Sequence, residues 1–167
     1  MQPLLLLSSL LVSIWLFASW ICSRPRGARF TPLANIAEGF APSTKTYLAD
    51  AAISTRFLVG KIGTDASHVA LAGVSDIPLG IIADEAAAAE DAVMVRLLGV
   101  QNEGGIAIAS AAITAGDLLV PAANGKVRTL PGTSGTYYIL GRAIKAAGAD
   151  GDQVEFVPSF PMQRVVP

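Results

Sequence analysis

The stretch Ala92-Val93-Met94-Val95-Arg96-Leu97-Leu98 decides how the rest of the chain is read. Val93, Val95 and Leu97 fall on one face, and Met94, Arg96 and Leu98 on the other. A period of two marks a β-strand. Working outward, turn signals recur from Ile53 onward about every 8 to 12 residues, the spacing of a small barrel or sandwich. On the N-terminal side, residues 56–62 form a strand candidate closed by Gly63-Thr64-Asp65. Residues 68–72 form another, ending at Gly73, and residues 78–83 a third, where Pro78 fits a strand start or an edge. On the C-terminal side, Gly104-Gly105 marks a turn before residues 106–109. Residues 118–121 and 126–130 flank Asn124-Gly125, a dipeptide favoured where both turn residues need positive φ. Residues 136–146 and 153–157 complete the strand set. One segment breaks the pattern. Residues 84–91 contain Glu85-Ala86-Ala87-Ala88-Ala89-Glu90, whose high helix propensity predicts at most a turn or two of helix. Ala115-Gly116-Asp117 and Asp150-Gly151-Asp152 both set Gly-Asp before a strand. This is shared turn chemistry, in which Gly supplies an unusual φ and Asp bonds its own backbone downstream.

The region before Ile53 is unlike this body. Residues 3–22 carry no charge and run from Leu4-Leu5-Leu6-Leu7 to Trp20-Ile21, about the roughly 20 residues that span a membrane. Arg24, Arg26 and Arg29 follow, a flank that would stay cytoplasmic if the segment spans. A secretory signal wants its positive charge before the apolar run. Three readings stand: an anchor or atypical export signal, an arm buried in an assembly, or a natural chain starting near Leu33 with residues 1–32 supplied by upstream translation. Residues 31–50 contain Pro32, Gly39 and Pro42 and show no stable period, which reads as an extended arm. The expected organisation is thus an apolar and basic segment 1–32, an extended arm 33–52 and a barrel-like domain 53–167. The expected fold is all-β: a small β-barrel or β-tulip-like domain behind that arm and apolar segment.

Composition narrows the function. The chain has 167 residues, 52% hydrophobic and 15% charged, which excludes intrinsic disorder. The net charge is −1, so the basic excess of a protein that coats nucleic acid is missing. Without residues 1–32 the body keeps nine basic and 13 acidic residues and is mildly acidic. A single cysteine, Cys22, excludes an intrachain disulfide or multi-thiolate metal site, and a single histidine, His68, excludes two-histidine metal motifs. His68 in Ala66-Ser67-His68-Val69 is the one candidate general base, the centre of a small hydrolase in one reading. No Gly-x-Ser-x-Gly elbow accompanies it, and a rim histidine is the simpler account. Asp84, Glu85, Glu90 and Asp91 lack the EF-hand spacing and read as a solvated acidic loop. Gly60-Lys61 lacks the remaining residues of a phosphate loop, and no Gly-x-Gly-x-x-Gly occurs. Tyr137, Tyr138 and Arg142 could stack on bases, but in an acidic body core or interface packing is the better account. The sequence therefore assigns no catalytic, cofactor-binding or metal-binding residue and points away from an enzyme.

The order of short segments resembles the capsid cement, or head decoration, proteins of tailed bacteriophages. The segments are Asn35-Ile36-Ala37-Glu38-Gly39, Ala51-Ala52-Ile53-Ser54-Thr55-Arg56-Phe57-Leu58, Pro78-Leu79-Gly80-Ile81, Asp84-Glu85-Ala86 and Val95-Arg96-Leu97-Leu98-Gly99. The series continues with Ala115-Gly116-Asp117, Asn124-Gly125-Lys126-Val127, Gly141-Arg142-Ala143 and Gly151-Asp152, so the resemblance spans roughly residues 33–166. It implies a non-catalytic, cofactor-free β-barrel-like virion protein. Such a protein would bind the major capsid protein on the outside of the assembled head, commonly as a homotrimer, after assembly in the host cytoplasm. It implies no nucleic-acid partner, and a membrane only if residues 1–32 are genuine. The arm is then the expected capsid contact, through Asn35, Ile36, Glu38, Phe40 and Tyr47. Val93, Val95 and Leu97 are the expected oligomer interface. The rival reading is a membrane-anchored or exported β-domain of a cell surface, carried by residues 3–22.

Overall fold

Strands alone carry the architecture of the computed structural model, which describes residues 43–100 and 104–167. They are β1 (Thr44–Ala49), β2 (Leu58–Ile62), β3 (His68–Leu71), β4 (Gly80–Ile82), β5 (Ala92–Leu97), β6 (Gly105–Ile108), β7 (Leu118–Pro121), β8 (Val127–Thr129), β9 (Gly135–Ala143) and β10 (Gln153–Val166). A 3-10 turn, Ala123–Gly125, joins β7 to β8.

The first five strands close into a barrel in the order β1-β3-β2-β4-β5. β2 pairs antiparallel with β3 and β4, and β4 with β5. β1 completes the ring, parallel to β3 and antiparallel to β5 with Thr44 opposite Arg96. Strand alternation then sorts side chains between two cores. Leu58, Val69, Ile82, Val93 and Val95 fill the barrel with Tyr47 and Ala49. Their neighbours Val59 and Ile81 point outward, into a second core.

That second core lies between the barrel and a five-stranded sheet of order β6-β10-β9-β7-β8. Leu119, Leu140, Val154 and Phe156 meet Val59 and Ile81 there. On its other face the sheet carries a small third cluster of Val120, Tyr137 and Ile139.

The turns follow the expected chemistry with one reversal. Asn124 has φ 58 and Gly125 φ 71, the two positive values the Asn-Gly pair predicts. Gly116 and Gly151 also have positive φ, but the aspartates after them bond upstream rather than downstream. Asp117 accepts the Thr114 N–H and Asp152 the Ala149 N–H. Asp76 and Asp91 accept the N–H three residues earlier in the same way, from Gly73 and Ala88.

Three expectations are corrected. Residues 84–91 form no helix: Ala86 is buried and bridges Ile53, and Glu90 adopts φ 69, which breaks helical continuity. The extended arm does not reach residue 52, because Thr44–Ala49 is a barrel strand. The last strand runs on through Val166 rather than stopping at residue 157.

Candidate docking surfaces

The groups with catalytic or metal-binding potential separate in space or bind one another. The His68 ring is held between two carboxylates, with Nδ1 2.7 Å from Asp65 Oδ1 and Nε2 3.1 Å from Glu90 Oε1. Ser67 Oγ lies 3.4 Å from Nδ1 and also binds Asp65. The hydrogen bonds that Asp65 and Glu90 accept from the ring raise the His68 pKa. The bond from His68 holds the Asp65 carboxyl well below the usual carboxylate range. With both ring nitrogens facing carboxylates, His68 clamps two loops together. The acids of residues 84–91 disperse: Asp84 accepts the Met94 N–H, Glu85 faces Arg56 at 3.7 Å, Glu90 takes His68 and Asp91 takes Ala88. Among the described residues no group of three or more His, Cys, Asp or Glu is placed to hold a metal ion. Tyr137 is buried, with its hydroxyl 3.0 Å from Thr133 Oγ1 and Arg128 over its ring.

The residues expected to face partners are placed as follows. Asn35, Ile36, Glu38 and Phe40 lie outside the described residues. Tyr47 is only 5% exposed, inside the barrel, with Lys45 Nζ 4.7 Å from its ring centroid. It is a core residue and not part of an arm. Val93 and Val95 are fully buried in the chain's own barrel, and Leu97 packs partly against the same core. This corrects their assignment as an oligomer interface: barrel closure has already consumed that face.

Exposed apolar surface concentrates instead in the second half of β10. Val157 is 55% exposed, Phe160 72%, Met162 57% and Val165 68%. Among the described residues β6 pairs only with Gln153–Phe156, so past Phe156 β10 has a described strand neighbour, β9, on one side alone. Pro161 lies in the bulge between Pro158 and Met162, where a missing N–H costs no ladder bond. Phe160, in the same bulge, lies against Gly99, whose φ is 80 and whose missing Cβ leaves the room: a Cβ there would be 2.6 Å from Phe160 Cδ2. Register fixes what faces away from the barrel. Met162 pairs with Ile139, Arg164 with Tyr137, and Val157 with Arg142. Arg142 also pairs with Leu118, and Arg128 with Val120. Ile139, Tyr137, Leu118 and Val120 belong to the third cluster, so Val157, Met162, Arg128, Arg142 and Arg164 share that outer face. Sequence reasoning missed this surface because it ended the last strand at residue 157.

Among the described residues, a closed barrel backed by an open sheet leaves an exposed apolar face on β10 as the surface that offers a contact. The sequence matches the phage cement protein family over residues 44–157, from the first barrel strand into the last strand of the sheet, and the chain belongs to that family. It is accordingly a structural, capsid-binding virion protein. The fold is similar to the crystal structure of the head fiber gp8.5 N base of bacteriophage phi29, with a TM-score of 0.54 and 22% identity. That alignment covers 71% of this chain and 94% of the other. No curated protein matches the sequence.

Proposed function

We propose that this chain is a capsid cement protein that binds the major capsid protein on the outer surface of the assembled head and strengthens it without catalysis. The observation that carries the reading is the family match over residues 44–157, which takes in every barrel strand and most of the second sheet. Cement acts by adding contact across subunit boundaries, and linking several copies multiplies weak contacts through effective concentration. A homo-oligomer, with a trimer as the expected count, suits that role. Residues 33–43 are the proposed capsid-contacting arm, with Asn35, Ile36, Glu38 and Phe40 its contact residues, leading into β1 at Thr44. A segment ordered on the head would gain main-chain bonds to a neighbouring sheet edge.

The test is co-sedimentation of the full chain with purified heads lacking it, followed by heating or osmotic shock. Saturable binding that raises the temperature of genome release supports the reading, and failure to bind intact heads overturns it. Deleting residues 33–41, which leaves β1 whole, is expected to abolish binding; full binding by that variant would remove the arm from the proposal. The apolar run at residues 3–22 favours a second reading, a membrane-anchored or exported β-domain. Among the described residues no helix is long and apolar enough to cross a membrane, and residues 3–22 lie outside them. Mass spectrometry of the most N-terminal peptide, from particles and from host membranes, separates the two.

A further inference from the structure

We infer that the outer face of the second sheet, built by β8, β9 and the free half of β10, docks a second copy of this chain through the acidic barrel of that copy. The inference rests on the homo-oligomer reading above and gives it a location. Residues 127–142 and 157–167 contain three basic residues, Arg128, Arg142 and Arg164, and no acid. All three share the face that Val157 and Met162 expose. None of the three makes an ion pair within the described residues: Arg142 donates to the Gly116 carbonyl and Arg128 lies over the Tyr137 ring. Glu155, the nearest acid along β10, is held by Lys145 at 3.1 Å. An exposed face that combines apolar side chains with unpaired arginines has the composition of an interface core.

The complement lies on the same chain. Residues 43–98, which form the barrel, carry four basic and seven acidic residues. The side chains of Asp65, Glu85 and Glu90 are each more than half exposed while Asp65 and Glu90 share the single His68 ring and Glu85 faces Arg56, so the acids outnumber their internal partners. Charge also sets the symmetry. Two such faces meeting about a two-fold axis would set three arginines against three, a like-charge arrangement that opposes pairing. A face docking on the neighbour's barrel sets unlike charges together, and this head-to-tail contact gives a ring when the rotation between copies closes.

The experiment places the photoreactive residue p-benzoylphenylalanine at position 162 of the full chain. Light and heavy-isotope chains are mixed and irradiated, alone and on purified phage heads, and adducts are mapped by mass spectrometry. The expected result is a mixed-isotope adduct from residue 162 to a peptide within residues 43–98. Arg164→Glu in the same background is expected to lower its yield at least tenfold. An adduct only to the major capsid protein, one joining residue 162 to residues 127–167 of another copy, or a yield unchanged by Arg164→Glu would each overturn the inference. Light scattering on the same samples distinguishes the two levels of failure. A monomer with no mixed adduct removes the homo-oligomer reading as well, whereas an oligomer with adducts mapped elsewhere removes only this face.

Discussion

The barrel and the sheet behind it solve the same problem in opposite ways. The barrel joins its first strand to its fifth and so has no edge to protect. Its interior holds Val69, Ile82, Val93 and Val95, all fully buried. The second sheet stays open, blunts one edge with Pro158 and Pro161, and leaves apolar side chains in solvent along half of its longest strand. A closed sheet spends its apolar residues on itself. An open one keeps some for a partner.

The largest expected effect breaks the connection between the two regions. Phe156 is fully buried in the core they share, and Phe156→Ala is expected to cost about 3–5 kcal/mol by cavity formation. Chemical denaturation should show the loss in one cooperative transition. Two separate transitions, with the barrel unchanged, would show that barrel and sheet fold independently.

Next is the seam at Gly99. Alanine there meets a positive φ, worth about 1–2 kcal/mol, and crowds Phe160. The double-mutant cycle with Phe160→Ala is expected to recover only the crowding by the ring, because the Phe160 Cα at 2.9 Å and Cβ at 3.1 Å remain. Strict additivity of the two substitutions would show that the Phe160 ring does not rest on Gly99.

A smaller effect belongs to the barrel alone. His68 gains carboxylate partners on folding, so its pKa rises from the ordinary 6.5. Its contribution to stability is fully present below that value and is lost as pH rises through the higher folded value. Asp65 is depressed from 3.8, so its contribution is present above that value and lost as pH falls through the folded one. The clamp is therefore complete between about pH 4 and pH 6.5. The thermal midpoint of the wild type should fall on the alkaline side of this window, and His68→Ala should flatten that slope. Identical slopes in the two proteins would mean the clamp carries no linkage.

The smallest expected effect sharpens the contrast most. Val165→Thr on the ribbon of β9 and β10 should change the stability of the isolated chain by no more than about 0.5 kcal/mol, because Val165 is already in water. The chemically similar Val95→Thr, inside the barrel, should cost several times more by burying a hydroxyl without a partner. Equal costs, read from denaturation midpoints, would end the distinction between the regions.

How much of this was legible in the sequence depends on how local each signal is. The alternation of residues 92–98 and the Asn124-Gly125 turn act over a few neighbours, and both appear in the structure as read. The likeness of short segments to phage cement proteins was legible too, and the family match bears it out. Thr44-Lys45-Thr46-Tyr47-Leu48-Ala49 has too weak an alternation to announce a strand, so Tyr47 read as arm when it is barrel core. Ala86 sits in a helix-forming run but is buried against Ile53, a contact 33 residues back along the chain that overrides local propensity. Val93 and Val95 were placed on the right face of the right strand, yet only the closure by β1 reveals that this face looks into the chain's own barrel.

That closure also sets a timetable. Thr44 must find Arg96, about fifty residues further along, so the ring cannot shut while the intervening chain is still inside the ribosome. At roughly 5–20 residues per second, the first strand emerges some seconds before its partner exists. For that interval Tyr47 and Ala49 have no interior to enter. The step that finishes the barrel is thus the one with the longest wait, and the newborn chain is most exposed to wrong pairing at the strand that later locks it.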